Sequence, residues 1–302
     1  NECFLLSIVE TLLVLKYLWL KSKPLFHFSP VLSSWNPTMS INQNHLMNTT
    51  PHIHAMIVAA GRGSRFGASI AKQYTMLQGQ TLLQHSVARL ANSAYIDKCL
   101  LVIAADDSTA KTLNFALPIQ YAIGGAERWQ SVQAGVEAIR QIGAKDSDLV
   151  VIHDAARPAV PQQDINKVIE AAMLEPYGAI LATPVADTLK QSYTQPYAQS
   201  KTTNGIIDKP VNSSSHSYAK RTIDRSHMWH AQTPQVFRLG ELQRVLTYVA
   251  ENQLEITDEA SAFEHLELPI RLVSGSRQNI KLTYPDDAIL LAAILTAQSE
   301  LS

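Results

Sequence analysis

Two cations sit inside a glycine-rich stretch where an apolar run ends: Met56-Ile57-Val58-Ala59-Ala60-Gly61-Arg62-Gly63-Ser64-Arg65-Phe66-Gly67, with Lys72 close behind. Glycines let backbone N–H groups approach an anion with no Cβ in the way. Arginine and lysine add full charge that bare amides lack. The chemistry this serves is phosphate binding. Two familiar patterns fail to match it. No Gly-Lys-Ser/Thr tripeptide occurs, and the third glycine of a dinucleotide fingerprint would fall on Phe66, with Gly67 one residue late.

Other residues suited to the same chemistry follow at intervals. Gly124-Gly125 precedes Arg128 and Ser131, His153-Asp154 is followed by Ala155-Ala156-Arg157-Pro158, and Lys281 comes late. A carboxylate is a hard oxygen ligand for Mg²⁺, and cations suit phosphate oxygens, so the set suits a nucleoside triphosphate held with metal. Each member also has an ordinary reading. Arg62 and Arg65 fit solvated loop charges, and Lys72 fits a surface lysine. Asp154 fits a turn cap, and Asp258 in Thr257-Asp258-Glu259 fits a helix N-cap. His153 has no second histidine at ligand spacing, and Ser131 has no neighbouring base to make it a nucleophile. Only the combination carries the functional reading.

The elements that must position these residues alternate. Residues 55–60, 99–105 and 149–152 are continuous apolar runs, as in parallel strands covered on both faces, and 119–123 is a shorter one. Between them Leu82, Leu83, Val87 and Leu90, then Val132, Val136 and Ile139, recur at helical spacing; so do Ile165, Val168, Ile169 and Ala172. Strands are further expected at 179–182, 270–273 and 279–283, α/β character returns at 229–237, and helices are expected at 240–251, from 257, and at 285–298. This rhythm predicts an α/β fold with a doubly wound, mostly parallel sheet. In such sheets ligands bind beyond the carboxyl ends of the strands, where Gly61, Gly63, Arg65, Lys72, Asp154, Arg157 and Lys281 would fall. The rhythm stops over about 187–225, a polar stretch too long for an ordinary loop, which reads as an insertion or an arm packing on something else.

An apolar fraction of 46% and a net charge of -1 describe an ordinary globule with no basic surface for nucleic acid. Cys3 and Cys99 make no framework, which suits reduced thiols and a cytoplasmic protein. Residues 1–50 are expected to form an N-terminal extension outside the native fold of 51–302. Positions 4–20 are leucine-rich but interrupted by Glu10 and Lys16, marginal for a membrane span and unlike a signal peptide. The preferred expectation is that residues before Met39 are upstream sequence. A membrane anchor and a chloroplast-type leader are the alternatives, and no membrane partner is expected.

Taken in order, these residues carry a resemblance. Ala59-Ala60-Gly61-x-Gly63-x-Arg65, Lys72-Gln73-Tyr74, Gly124-Gly125-x-x-Arg128-x-x-Ser131 and His153-Asp154-Ala155-Ala156-Arg157-Pro158 come first. Pro184-Val185-x-Asp187-Thr188, Asp224-Arg225, His230-Ala231-x-Thr233-Pro234-Gln235, Thr257-Asp258-Glu259-Ala260-Ser261 and Asn279-Ile280-Lys281 follow. The set resembles the 2-C-methyl-D-erythritol 4-phosphate cytidylyltransferases of the non-mevalonate isoprenoid pathway, over about residues 54–298.

The resemblance implies a Rossmann-like nucleotidyltransferase sheet with an extended dimerisation arm, and transfer of CMP from CTP to methylerythritol phosphate with loss of pyrophosphate. It implies Arg65, Lys72 and Lys281 as catalytic cations. Ala59, Ala60, Gly61, Gly63, Gly125, Arg128, Ser131, Asp154 and Ala155 would bind nucleotide. Arg157, Thr188, Arg225 and Thr233 would bind the acceptor, and Asp154 would hold Mg²⁺. It also implies a homodimer that exchanges arms, although positions 202–217 look like extra length for the family. Two alternatives stand beside it: a ribitol 5-phosphate cytidylyltransferase and a non-catalytic nucleotide-binding protein. A dehydrogenase is disfavoured by the misplaced glycine.

Overall fold

The computed structural model describes residues 50–61, 71–197, 202–203, 206–207 and 214–300, all within a compact unit running Thr49–Ser302. The extension at 1–49 lies outside the described residues, as do Arg62, Gly63 and Arg65 of the glycine-rich loop.

In chain order the strands are β1 (Ile53–Val58), β2 (Cys99–Ile103), β3 (Ile119–Ile123), β4 (Leu149–Asp154), β5 (Gly178–Pro184), β6 (Leu189–Tyr197), β7 (Ser214–Ile223), β8 (Trp229–Arg238) and β9 (Arg271–Ser274). The helices are α1 (Leu82–Ala91), α2 (Arg128–Gln141), α3 (Gln162–Met173), α4 (Leu239–Glu251), α5 (Glu259–Glu264) and α6 (Asp287–Glu300). Seven strands form the central sheet in the order β9-β5-β8-β4-β1-β2-β3. β1 pairs parallel with β2 and β4, while β8 runs antiparallel to both β4 and β5. The expected doubly wound, mostly parallel sheet is present, with one antiparallel strand inserted near its middle.

Side-chain alternation explains the continuous apolar runs. On β1, Ala55 and Ile57 face a core formed with α1 and α3, while Met56 faces a second core formed with α2, α4 and α5. Cys99 and Leu101 against Leu100 and Val102 split the same way on β2. Each fully buried Leu, Ile or Val stabilises the sheet by about 1.5–3 kcal/mol. A third cluster joins Leu82, Ala156 and Leu282 to Leu291 and Leu295 of α6. Among the described residues, no helix is long and apolar enough to cross a membrane.

One sequence expectation needs correction. Residues 279–283 are not a strand. Asn279 and Leu282 are buried three residues apart, a spacing that does not follow a strand's alternation. The backbone is tied instead by isolated bonds, such as Leu282 N–H to Ala156 O at 2.9 Å. The stretch at 187–225 contains a ribbon among its described residues. β6 and β7 pair there as an antiparallel ribbon, with Tyr193 opposite Tyr218. Beyond the half-buried Leu189 and Ile223 at its base, its described side chains are exposed on both faces, which is why it shows no core periodicity.

Candidate active site

Winding reverses between β1 and β4, and the crevice beyond their carboxyl ends is the place where doubly wound sheets take ligands. Asp154 is the last residue of β4 and is aligned with Val58 of β1. A cavity of about 230 Å³ lies there, walled by Gly61, Lys72, Gly125, Ser131, Asp154 and Lys281 among others. The β3 turn is pressed against the β1 turn: a Cβ on Gly124 would stand 2.7 Å from the Ala60 Cβ, so only glycine fits. Ser131 shapes the same turn, its hydroxyl accepting the Gly125 N–H at 3.2 Å. The serine is a structural brace.

Charge converges on Asp154. Lys281 Nζ meets Oδ2 at 2.6 Å. Arg128 reaches Oδ1 with Nη2 at 3.3 Å and Nε at 3.4 Å. Arg157 Nε is 3.9 Å from Oδ2. Burial alone would raise this carboxyl, but the positive charges of Arg128, Lys281 and Arg157 outweigh it and hold Asp154 well below the usual carboxylate range. Arg128 also meets Glu259, which is fully buried. Burial would lower the Arg128 guanidinium, and Glu259 and Asp154 together push it above its ordinary value.

The frame around this cluster comes from several elements. α1 starts with a capping box between Thr81 and Gln84. It pins the segment after β4 through Ser86 Oγ to Ala155 O (3.0 Å) and Arg89 Nε to Pro158 O (3.2 Å). Arg157 donates to Asn279 O at 2.7 Å, and Asn279 Nδ2 donates to Thr233 O at 2.8 Å. Together these fix the segment that carries Lys281. The Lys72 turn is held by Gln73 Nε2 to Ala59 O at 2.8 Å and by the Tyr74 hydroxyl to Asp107 Oδ2 at 2.5 Å.

His153 is buried inside a short relay. Asp154 N–H donates to Thr233 Oγ1 at 3.1 Å, and Thr233 Oγ1 lies 3.0 Å from His153 Nδ1. His153 Nε2 is 3.0 Å from Arg157 O. A carbonyl only accepts, so the ring carries its proton on Nε2, and Nδ1 accepts a hydrogen bond from the Thr233 hydroxyl. Burial keeps the ring neutral, its pKa lowered to about 4. The histidine is structural, as expected.

The structure thus brings Ala59, Gly61, Lys72, Gly125, Arg128, Ser131, Asp154, Ala155 and Lys281 to one cavity; Ala60 borders it at the Gly124 contact. Arg157 and Thr233 stand just behind, with the Thr233 hydroxyl engaged in the relay. Thr188 and Arg225 are exposed at the base of the β6–β7 ribbon, away from the cavity's lining. A second, open cavity of about 380 Å³, with Arg157, His230, Arg277 and Lys281 in its wall, shares Lys281 with the first. Asp107 and Glu259 were not singled out as site residues. In the sequence Glu259 stands in a helix-start motif and in one block of the resemblance, with no role attached, and Asp258 does cap α5, accepting Ser261 N–H at 3.0 Å. Among the described residues no cluster of three or more His, Cys, Asp or Glu is placed to hold a metal by itself. Asp154 brings a single carboxylate to a phosphate-sized cluster of cations, which fits a cation shared with substrate phosphates.

A family profile of 2-C-methyl-D-erythritol 4-phosphate cytidylyltransferase (IspD) matches residues 53–297. A protein of that name from Psychrobacter cryohalolentis is 73% identical over 273 residues, spanning 86% of this chain and 98% of its own length. One from Colwellia psychrerythraea is 36% identical, spanning 84% and 98%. A crystal structure of 4-diphosphocytidyl-2C-methyl-D-erythritol synthase superposes with a TM-score of 0.64 at 32% identity, covering 82% of this chain and all of the other. The Francisella tularensis enzyme gives 0.62 at 30%, covering 80% and 99%. With the motif order, the doubly wound sheet and the charged crevice in agreement, this chain belongs to the 2-C-methyl-D-erythritol 4-phosphate cytidylyltransferase family.

Proposed function

We infer that the protein transfers CMP from CTP to 2-C-methyl-D-erythritol 4-phosphate, releasing pyrophosphate, in isoprenoid precursor synthesis. The observation that carries the reading is the convergence of Lys281, Arg128 and Lys72 with Asp154 in one crevice of a chain of this family. An oxygen of the acceptor phosphate attacks the α-phosphorus of CTP. The bond from that phosphorus to the β-phosphate oxygen breaks, and its electron pair leaves on pyrophosphate. No nucleophile–base pair is required of the protein, in keeping with Ser131 serving as a brace. The chain's task is positioning and neutralisation of charge at phosphorus.

Small residues at Ala59, Gly61 and Gly125, with Ser131, make room for the base and ribose. Lys72 faces the phosphates. Lys281 borders both cavities, which supports a role for its ammonium between donor and acceptor. Arg65 and Gly63 belong to the same reading, although both lie outside the described residues. Asp154 would hold Mg²⁺ together with the triphosphate; the bound ion would neutralise developing charge on phosphate oxygens.

A homodimer is part of this proposal. A two-stranded ribbon exposed on both faces is marginal in water, and β6–β7 sets Tyr193 beside Tyr218, tilted, with ring centroids 5.7 Å apart and both side chains exposed. A second copy covering the ribbon would bring Thr188 and Arg225 to a neighbouring site. Sedimentation of a Tyr193→Ser, Tyr218→Ser variant checks this: a dimer unchanged by the substitutions would sink it. A cytoplasmic location, where CTP is available, completes the reading, and Cys99 is a buried free thiol.

The deciding experiment incubates the protein with CTP, Mg²⁺ and either methylerythritol phosphate or ribitol 5-phosphate, measuring pyrophosphate. Release with the first acceptor is expected. Preference for ribitol phosphate would replace this reading with its sister activity, and no release with either would leave a nucleotide-binding role.

A further inference from the structure

α5 opens with a residue whose burial demands an explanation. The Glu259 side chain is fully covered, and removing a carboxylate from water costs several kcal/mol. Helix capping does not account for it, because Asp258 already accepts the Ser261 N–H. An acid in a helix's first turn contributes only about 0.3–1 kcal/mol. Oε1 of Glu259 contacts Arg128 Nη1, while Oε2 is buried with no hydrogen-bond partner.

Arg128 is therefore claimed from two sides. On one side Nη1 contacts Glu259 Oε1. On the other side Nε and Nη2 share one oxygen, Asp154 Oδ1, at 3.4 and 3.3 Å. Charge-assisted N–H···O bonds normally close to about 2.7–2.9 Å, so the Asp154 contact is loose. Oδ2 is occupied tightly by Lys281 at 2.6 Å. Oδ1 is thus the oxygen that is easier to free.

We propose that Glu259 is a positioning residue that draws Arg128 back from Asp154, keeping Oδ1 accessible to the divalent cation that arrives with the triphosphate. The inference rests on the reading of Asp154 as the cation ligand. Without the Glu259 charge, the guanidinium closes on Asp154 as a forked pair, and a cation must first break that pair.

The test follows Mn²⁺ by electron paramagnetic resonance, titrated into protein saturated with a CTP analogue bridged by methylene between its α- and β-phosphorus atoms. Thermal unfolding verifies that each variant is folded. Glu259→Gln keeps the shape and removes the charge, and the Mn²⁺ concentration that half-fills the site should rise about 10-fold or more, the usual cost of losing a partner outside the ligand shell. Glu259→Asp, which retains the charge, should rise less. Adding Arg128→Gln to Glu259→Gln should restore Mn²⁺ affinity towards wild type, because the competing guanidinium is gone. A merely structural glutamate gives no such rescue. Unchanged Mn²⁺ binding in Glu259→Gln, or a double variant no better than the single, overturns the proposal. If the wild-type signal is indifferent to Asp154→Asn, the cation reading itself fails and takes this inference with it.

Discussion

Asp148 and Asp154 lie at opposite ends of β4, one just before the strand and one at its close, and both are largely buried. Asp148 accepts backbone N–H groups from Lys145 at 2.9 Å and His52 at 3.2 Å, and it lies 3.3 Å from His54 Nε2. Nearby, Arg238 gives its guanidinium to the carbonyls of Ser147, Met173 and Glu175. At that end each charge meets mostly backbone. Asp154 is met mostly by side-chain cations. Around it, among the described residues, Arg157 Nε, Gln235 Oε1, Glu259 Oε2 and Asn279 Oδ1 are buried without hydrogen-bond partners. Buried polar groups are normally satisfied. One end of the sheet is closed by backbone hydrogen bonds, and the other gathers side-chain charge around Asp154.

Matched substitutions separate the two ends. Asp154→Asn leaves three cations without their counter-charge and removes the cation ligand. Turnover should fall on the order of 10²–10³-fold, the scale for losing one preorganised charge-stabilising group, and stability should fall as well, because the cations that hold Asp154 ionised lose their partner. Asp148→Asn should cost about 1–3 kcal/mol of stability through weakened buried bonds, with kcat and KM near wild type. Steady-state kinetics and urea unfolding on both variants read the contrast. An Asp148→Asn enzyme as slow as Asp154→Asn would erase it.

Thr233 tests where the two behaviours meet. The resemblance implies an acceptor contact, while the structure engages its hydroxyl between Asp154 N–H and His153. Thr233→Val keeps the shape and removes both bonds, so a cost of about 1–2 kcal/mol in stability is expected. KM for the acceptor should then stay within about threefold, less than 1 kcal/mol on the affinity scale. A large rise in acceptor KM with stability intact would show that the hydroxyl turns to substrate instead.

Legibility in the sequence followed the range of each interaction. The apolar runs of β1, β2 and β4 and the Asp258 cap were readable because a few neighbouring residues determine them. The antiparallel direction of β8 was not, since alternation carries no polarity. Residues 279–283 mix apolar and polar positions as a short strand does, but what holds them is Thr233, Arg157 and Ala156 from distant parts of the chain. The gathering of Asp154, Lys72 and Lys281 followed from the rule about strand ends. Glu259 and Asp107 did not, because their roles exist only through Arg128 and Tyr74, which lie far away in sequence.

The smallest expected effect probes the closed end with pH. Burial lowers the His54 pKa below its ordinary 6.5, against the opposing pull of Asp148. The folded state therefore favours the neutral ring, and the unfolded chain takes up the proton first as pH falls. Stability held by the neutral ring is complete above pH 6.5 and declines below it, since the unfolded state then binds more protons. Asp148 is also shifted: burial raises it, but the hydrogen bonds from Lys145, His52 and His54 prevail and lower it. Its contribution is lost only further down, through the carboxylate range. His54→Gln keeps a donor for Asp148 and cannot titrate. Its urea midpoint should vary less than wild type between pH 6.5 and the onset of carboxylate titration, and the two curves should run parallel below that. A wild-type slope preserved in His54→Gln would mean that the closed end is not where histidine protonation acts on this fold.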